Sequence, residues 1–293
     1  MFRKILTFLF IVTIIIGCGG GGITPTPVPT STNTPAPTPT NTPVSGTHTP
    51  TPATSPTNTP TPGGMHNLTN LFFLHHSVGD GLVVEGNMRD VINAYNSAHS
   101  TNYMFWDHGY NSDGLRNPDG KMTETNYNIP DDNTDPEGLW YLWTSSEADA
   151  QTARNKIMEN HQVIAFKSCF PASAIPDKET LNQYKTWYLD MRDFFDQHPE
   201  KLFVVMSTPP LREVDTNATE AANARAFANW LKSDEYLSGH PNVVCFDLFN
   251  WLAGEDNFLK DEYETEDSHP NTLANKTVGL AFAQFLIETA ENY

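Results

Sequence analysis

Five short apolar runs, at residues 71–74, 103–106, 162–166, 202–206 and 243–248, constrain this chain most tightly. Each is bounded by polar or turn residues, and most are rich in Val, Ile and Phe. Continuous runs without polar alternation suit strands buried on both faces. Helical patterns lie between them. Residues 82–99 carry Val83, Val84, Met88, Val91, Ile92 and Tyr95 near helical spacing. Residues 148–160 form a second amphipathic stretch, and 178–198 a third with Leu181, Tyr184, Trp187, Tyr188, Met191 and Phe194 on one side. An alanine-rich stretch at 219–237 and another helical pattern at 273–291 complete the set. Such alternation predicts an α/β protein: a parallel sheet with right-handed crossovers and helices on both faces, a three-layer α/β/α sandwich of five strands.

Only residues 65–293 have the composition of that domain. Residues 1–17 read as an export signal, with Arg3 and Lys4 ahead of an apolar stretch from Ile5 to Ile16. That stretch is shorter than the roughly 20 apolar residues a spanning helix needs. It ends in Ile15-Ile16-Gly17-Cys18, which resembles a bacterial lipobox. The resemblance implies cleavage before Cys18 and lipid attachment to its thiol. An ordinary secretory signal and an uncleaved anchor are the alternatives. Residues 18–64 are dominated by Thr-Pro repeats with almost no charge or large apolar side chain. Such a segment cannot bury enough surface to offset its ordering entropy, and proline keeps it extended as a semi-rigid stalk. The expectation is a folded domain exported to the cell surface or periplasm, touching the membrane only through the lipid on Cys18.

A formal net charge of -18 argues against nucleic acid, whose phosphates need a basic surface. Cys169 and Cys245 sit at or inside apolar runs and are expected as buried free thiols rather than a disulfide. The chain has no Cys-x-x-Cys.

In a parallel sheet the C-terminal strand ends share one edge, where ligands bind. Ser77 follows the first run in Phe72-Phe73-Leu74-His75-His76-Ser77-Val78-Gly79-Asp80-Gly81. The second run leads into a long polar insertion at 107–138, and the third into Lys167-Ser168-Cys169. Glu266-Asp267-Ser268-His269-Pro270-Asn271 precedes the final helical pattern. A serine nucleophile needs a base, and the base needs an acid to orient it. Ser77, His269 and Glu266, or Asp267 in its place, are therefore the expected set. Gly79 and Gly81 are expected to let the backbone turn tightly into a helix starting near Leu82, whose N–H groups face a developing oxyanion. Ser77 as a helix N-cap, and Asp267-Ser268 as a cap of the last helix, are the structural alternatives.

A serine just after the first strand and an acid-x-x-His-Pro before the last helix resemble the SGNH, or GDSL, hydrolase superfamily over most of residues 65–293. The resemblance implies a flavodoxin-like sheet and metal-free esterase chemistry on acyl esters, often acetyl groups on sugars. The chain departs from that pattern in three places. His75-His76 stands where Gly-Asp usually precedes the serine, and Glu266 stands where Asp is usual. Lys167-Ser168-Cys169-Phe170 replaces the block that normally supplies an oxyanion asparagine. Lys167 or Ser168 is the expected substitute for that asparagine, with Gly109 or Gly114 offering a backbone N–H and His76 touching substrate.

The resulting expectation is a surface-anchored serine ester hydrolase acting on a small-molecule or polysaccharide acyl ester, with no cofactor. Two alternatives stand beside it: an inactive carbohydrate- or envelope-binding module on the same fold, and a metal-dependent hydrolase using His75, His76, Asp80, Asp107 and His108. His75 is expected in the core and His76 at the crevice. Asp131, Asn133 and Asp135 have calcium-like alternation without the full loop signature. Trp106, Trp140, Tyr141 and Trp143 flank the insertion as a candidate sugar platform or as core.

Overall fold

The computed structural model describes residues 68–293. The export signal, Cys18 and the stalk lie outside the described residues. Among the described residues no helix is long and apolar enough to cross a membrane.

Six strands form one sheet among the described residues: β1 (Asn70–Leu74), β2 (Met104–His108), β3 (Leu115–Arg116), β4 (Val163–Lys167), β5 (Leu202–Met206) and β6 (Val243–Phe246). Their order is β3-β2-β1-β4-β5-β6. All neighbours are parallel except β3, which runs antiparallel to β2. In register, Phe72 of β1 lies between Trp106 and Ile164.

Strand side chains alternate between two buried layers, which is why both faces need apolar residues. Phe72, Leu74, Ile164, Phe166, Phe203 and Val205 pack on one face. That face is covered by α3 (Pro136–Thr144), α4 (Ala148–Asn160), α5 (Lys178–Phe195) and α6 (Ala218–Leu231). Leu71, Phe73, Val163, Ala165, Val204 and Met206 pack on the other. Its cover comes from α1 (Ser77–Val84), α2 (Met88–His99), α8 (Leu248–Leu252) and α9 (Thr272–Asn292). A short α7 (Asp234–Leu237) precedes β6. The three-layer arrangement agrees with the periodicity, and the sixth strand corrects the five-strand count.

The other corrections have local causes. The helix expected over 82–99 starts five residues earlier, at Ser77, and breaks after Val84. Asn87 adopts a left-handed conformation (φ 52°), and α2 restarts from it. At the break, a side chain on Gly86 would sit 2.6 Å from the Asn275 carbonyl and 2.9 Å from Gly279 Cα. Glycine costs a helix roughly 1 kcal/mol. Here the missing Cβ lets α1 and α9 approach at backbone distance. The 107–138 insertion is not one loop: it contains β3, a 3-10 turn at Pro130–Asp132 and the start of α3. Pro136 at the first turn, with Asp135 accepting from the Gly138 N–H at 2.7 Å, starts α3 where the polar composition suggested coil.

Candidate active site

Ser77 is the first residue of α1, with His76 at the N-cap and no side-chain cap. It is therefore not the capping residue. The first N–H groups of α1 have no intrahelical partner. Gly79 and Gly81 lie inside α1, and neither has the positive φ of a tight turn. Gly79 is needed for a different reason: an added Cβ would overlap His75 Cβ.

Ser77 Oγ lies 2.7 Å from His269 Nε2, and His269 Nδ1 lies 2.9 Å from Asp267 Oδ1. The carboxylate accepts the Nδ1–H, which leaves Nε2 free to accept from the serine hydroxyl. Asp267 also accepts the His269 backbone N–H at 2.9 Å. These two hydrogen bonds, backbone first, hold the Asp267 carboxyl below its ordinary value. The carboxylate on His269 is thus Asp267, two residues before the histidine, and not Glu266, which is exposed and outside this chain of bonds. A doubly bonded Asx turn within one tight loop suits the shorter spacing.

The loop itself is pinned. Thr265 Oγ1 donates to the His269 carbonyl at 2.9 Å, and Ser268 Oγ donates to Asp215 at 2.6 Å. Asn271 caps α9 by accepting from the Ala274 N–H at 3.1 Å. The Phe170 ring meets the His269 imidazole edge-on at 4.8 Å.

Two cavities meet at Ser77. One, of about 430 Å³, is lined by Ser77, Asp80, Glu85, His269, Asn271 and Asn275 among others. The second, of about 220 Å³, is lined by His75, His76, Ser77, Asp80, Gly109, Tyr110 and Asp113. Neither lining includes Lys or Arg. Gly109 and His76 are therefore beside the serine, but Gly114, Lys167 and Ser168 are not. Gly114, at φ +69°, donates its N–H to the Tyr110 carbonyl at 2.9 Å. Lys167 is fully buried with Nζ donating to the Ser168 carbonyl at 3.1 Å, and neither Lys167 nor Ser168 lines either cavity.

Beneath the serine lies a buried ion cluster that spacing did not reveal. His75 is fully buried, with Nδ1 at 2.9 Å from the His76 carbonyl and Nε2 at 3.0 Å from Asp107 Oδ2. Asp107 also accepts from Arg89 and, at 2.7 Å, from Arg116 Nε. Arg116 reaches Asp80 of α1 at 2.6 Å. Burial pushes the Asp107 carboxyl up, but His75, Arg89 and Arg116 together outweigh it and hold it at about 2. Of the residues that could suggest a metal site, His75 is thus paired with Asp107, Asp107 with Arg89 and Arg116, and Asp80 with Arg116. His108 points elsewhere, to the Gly109 carbonyl at 2.8 Å and Asn126 at 3.2 Å. Among the described residues no group of three or more His, Cys, Asp or Glu is arranged to hold a metal.

The calcium-like run is engaged in local turns: Asn133 Oδ1 accepts from the Asp135 N–H at 3.0 Å, and Asp135 caps α3. Asp131 lies in the 3-10 turn. The aromatic residues do not form one platform. Trp143 is core, Trp140 donates to Asp190 at 3.0 Å, and the Tyr141 hydroxyl donates to Asp149 at 3.1 Å. Cys169 and Cys245 are free thiols; both residues are half-buried overall, while the Cys245 thiol itself is turned inward. Burial would raise the Cys169 thiol, but Lys167, His76 and Thr134 bring it down to about 7.

No family model and no curated protein matches the chain. Among solved structures, a chain from Streptococcus pneumonia, provisionally named a platelet activating factor, is similar at 12% identity and a TM-score of 0.42. The match covers 75% of this chain and 84% of that one.

Proposed function

We propose that the domain is a serine ester hydrolase of the SGNH type, exported and held at the cell surface or in the periplasm through lipidated Cys18 and the stalk. The observation that carries the reading is the Ser77–His269–Asp267 chain of hydrogen bonds, at 2.7 and 2.9 Å, built from opposite ends of the domain. Its place at the C-terminal edge of the sheet also supports it. So does the strand sequence β2-β1-β4-β5-β6, the flavodoxin-like order of a five-strand parallel core.

In this mechanism His269 Nε2 takes the Ser77 proton as Oγ bonds to the ester carbonyl carbon. The carbonyl electron pair moves to oxygen, where the free N–H groups at the start of α1 and that of Gly109 stabilise it. Asp267 keeps the imidazole in the required tautomer and steadies the imidazolium. Collapse breaks the ester C–O bond, and His269 gives its proton to the departing alcohol. Water then attacks the acyl-serine by the same route. Asp80, Glu85 and Asp113 in the cleft walls, with no lining cation, favour neutral esters over anionic ones. Acylated carbohydrate fits this preference. The full chain should release p-nitrophenol from p-nitrophenyl acetate, and Ser77→Ala should abolish release. Equal turnover by the variant defeats the proposal.

A further inference from the structure

An acyl-transfer site needs donors aimed at the carbonyl oxygen as it gains charge. In this chain the end of β4 supplies no amide side chain, since it reads Lys167-Ser168-Cys169, and neither Lys167 nor Ser168 lines the cavities at Ser77. Another side chain lies beside the serine with a donor to spare. His76 directly precedes the serine, and its side chain is 8% exposed. The ring stacks on Tyr110 with centroids 4.0 Å apart and planes within 15°. Its Nδ1 lies 3.2 Å from Thr134 Oγ1. Its Nε2 is buried and has no hydrogen-bond partner. The same ring lines the 220 Å³ cavity with Ser77 and Gly109.

Burying a polar nitrogen without a partner is costly, so orphans of this kind need an explanation. The surroundings also choose the tautomer. The Asp132 carboxylate stands 3.5 Å from Nε2, too long for a good bond but close enough to favour hydrogen there. Asp132 is already accepting the Asn111 N–H at 2.8 Å. The ring also neighbours the Cys169 thiol, itself 3.6 Å from Thr134 Oγ1; with hydrogen on Nε2, Nδ1 accepts from these hydroxyl and thiol groups, and Nε2–H is left without an acceptor on a ring held by stacking.

We propose that His76 is a catalytic residue, its Nε2–H being the side-chain donor of the oxyanion hole, alongside the backbone N–H groups of Ser77 and Gly109. The assignment rests on the reading of Ser77 as the nucleophile. His76 transfers no proton in this role. It donates one hydrogen bond, strongest when the carbonyl oxygen is tetrahedral and negative, so its loss falls on kcat more than on KM.

The experiment uses the full chain with p-nitrophenyl acetate, and a fluorophosphonate that reports nucleophilic capture by Ser77 as an Oγ–P bond formed with loss of fluoride. His76→Phe keeps a ring against Tyr110 but removes the donor, and kcat should fall ~100- to 1000-fold with KM changed less than about threefold. His76→Gln restores an N–H near the Nε2 position and should recover at least tenfold over His76→Phe. Circular dichroism confirms that both variants fold. The oxyanion assignment is overturned if His76→Phe keeps more than a third of wild-type kcat, or if His76→Gln is no better than His76→Phe, while Ser77→Ala is dead. Activity that survives Ser77→Ala, or a wild-type chain inert to both reagents, overturns the nucleophile reading itself.

Discussion

Replacing Asp107 with asparagine tests whether the buried ion cluster, and not apolar packing alone, holds the end of β2 against α1. The two side chains have nearly the same shape, so no cavity opens. What changes is charge. Asp107 is fully buried and is the common anion of Arg89 and Arg116, whose side chains are each 14% exposed. Without it, Arg116 keeps Asp80 at 2.6 Å, while Arg89 keeps the Asn117 carbonyl at 3.3 Å and the Phe105 ring at 5.2 Å. Removing one partner of a buried pair costs ~3–5 kcal/mol, and the second acid on Arg116 places this case at the low end. Linkage gives a second route. The folded carboxyl sits at about 2 against an ordinary 3.8, and each unit is worth about 1.4 kcal/mol, so ionisation contributes ~2 kcal/mol. Both routes point to a loss of ~2–3 kcal/mol, or ~4–12 °C in Tm for a domain of this size. Thermal unfolding followed by circular dichroism measures it. Because the folded value is depressed, the contribution is complete above the ordinary value near 4 and fades as pH falls through about 2. The gap between wild type and Asp107→Asn should therefore shrink by about half between pH 7 and pH 3. A variant within 1 kcal/mol of wild type at pH 7, or a gap equally large at both pH values, refutes the reasoning.

Asp267→Asn should lower kcat for p-nitrophenyl acetate by at least ~100-fold through loss of the correct imidazole tautomer, while Glu266→Gln stays within twofold. The reverse ranking in steady-state kinetics would restore Glu266 as the orienting acid. Iodoacetamide should label Cys169 with a pH midpoint near 7 and well ahead of Cys245, whose thiol burial pushes far up. Peptide mass spectrometry over a pH series reads this, and equal labelling of both cysteines contradicts it. Gly79→Ala should destabilise the domain by ~1–3 kcal/mol in urea denaturation, because the new methyl group overlaps His75. An unchanged midpoint would mean that the contact is slack.

The parts of this molecule set by periodicity were legible from residues alone. Strand β5 and helix α4 fall where apolar runs and amphipathic spacing put them, because both report burial directly. Ser77 and His269 were legible for a topological reason: strand ends and the last loop share one edge. What escaped depends on distance in space. Nothing in the spacing of Arg89 and Arg116 shows that they converge on Asp107. The choice between Glu266 and Asp267 turns on a loop that doubles back through hydrogen bonds to Thr265, not on helical geometry. The break at Asn87 reflects α9 passing close to Gly86, a contact 190 residues away in the chain as judged by its companion bond from Asn275 to Glu85. The first five residues of α1 were missed because Ser77-Val78-Gly79-Asp80-Gly81 has poor helix formers, overridden by tertiary contact.

Strand β3 has one more consequence. An uncovered β2 would present a row of open amides and carbonyls beside an apolar sheet, a template for another chain to add itself. Two residues of antiparallel cover pair the Asp107–His108 end of that edge, and Arg116, drawn inward to Asp107 and Asp80, fastens the cover to the same ions that sit beneath the serine. Protection of this rim and order beneath Ser77 thus share one guanidinium, so replacing Arg116 should surface as clumping together with a loosened cleft.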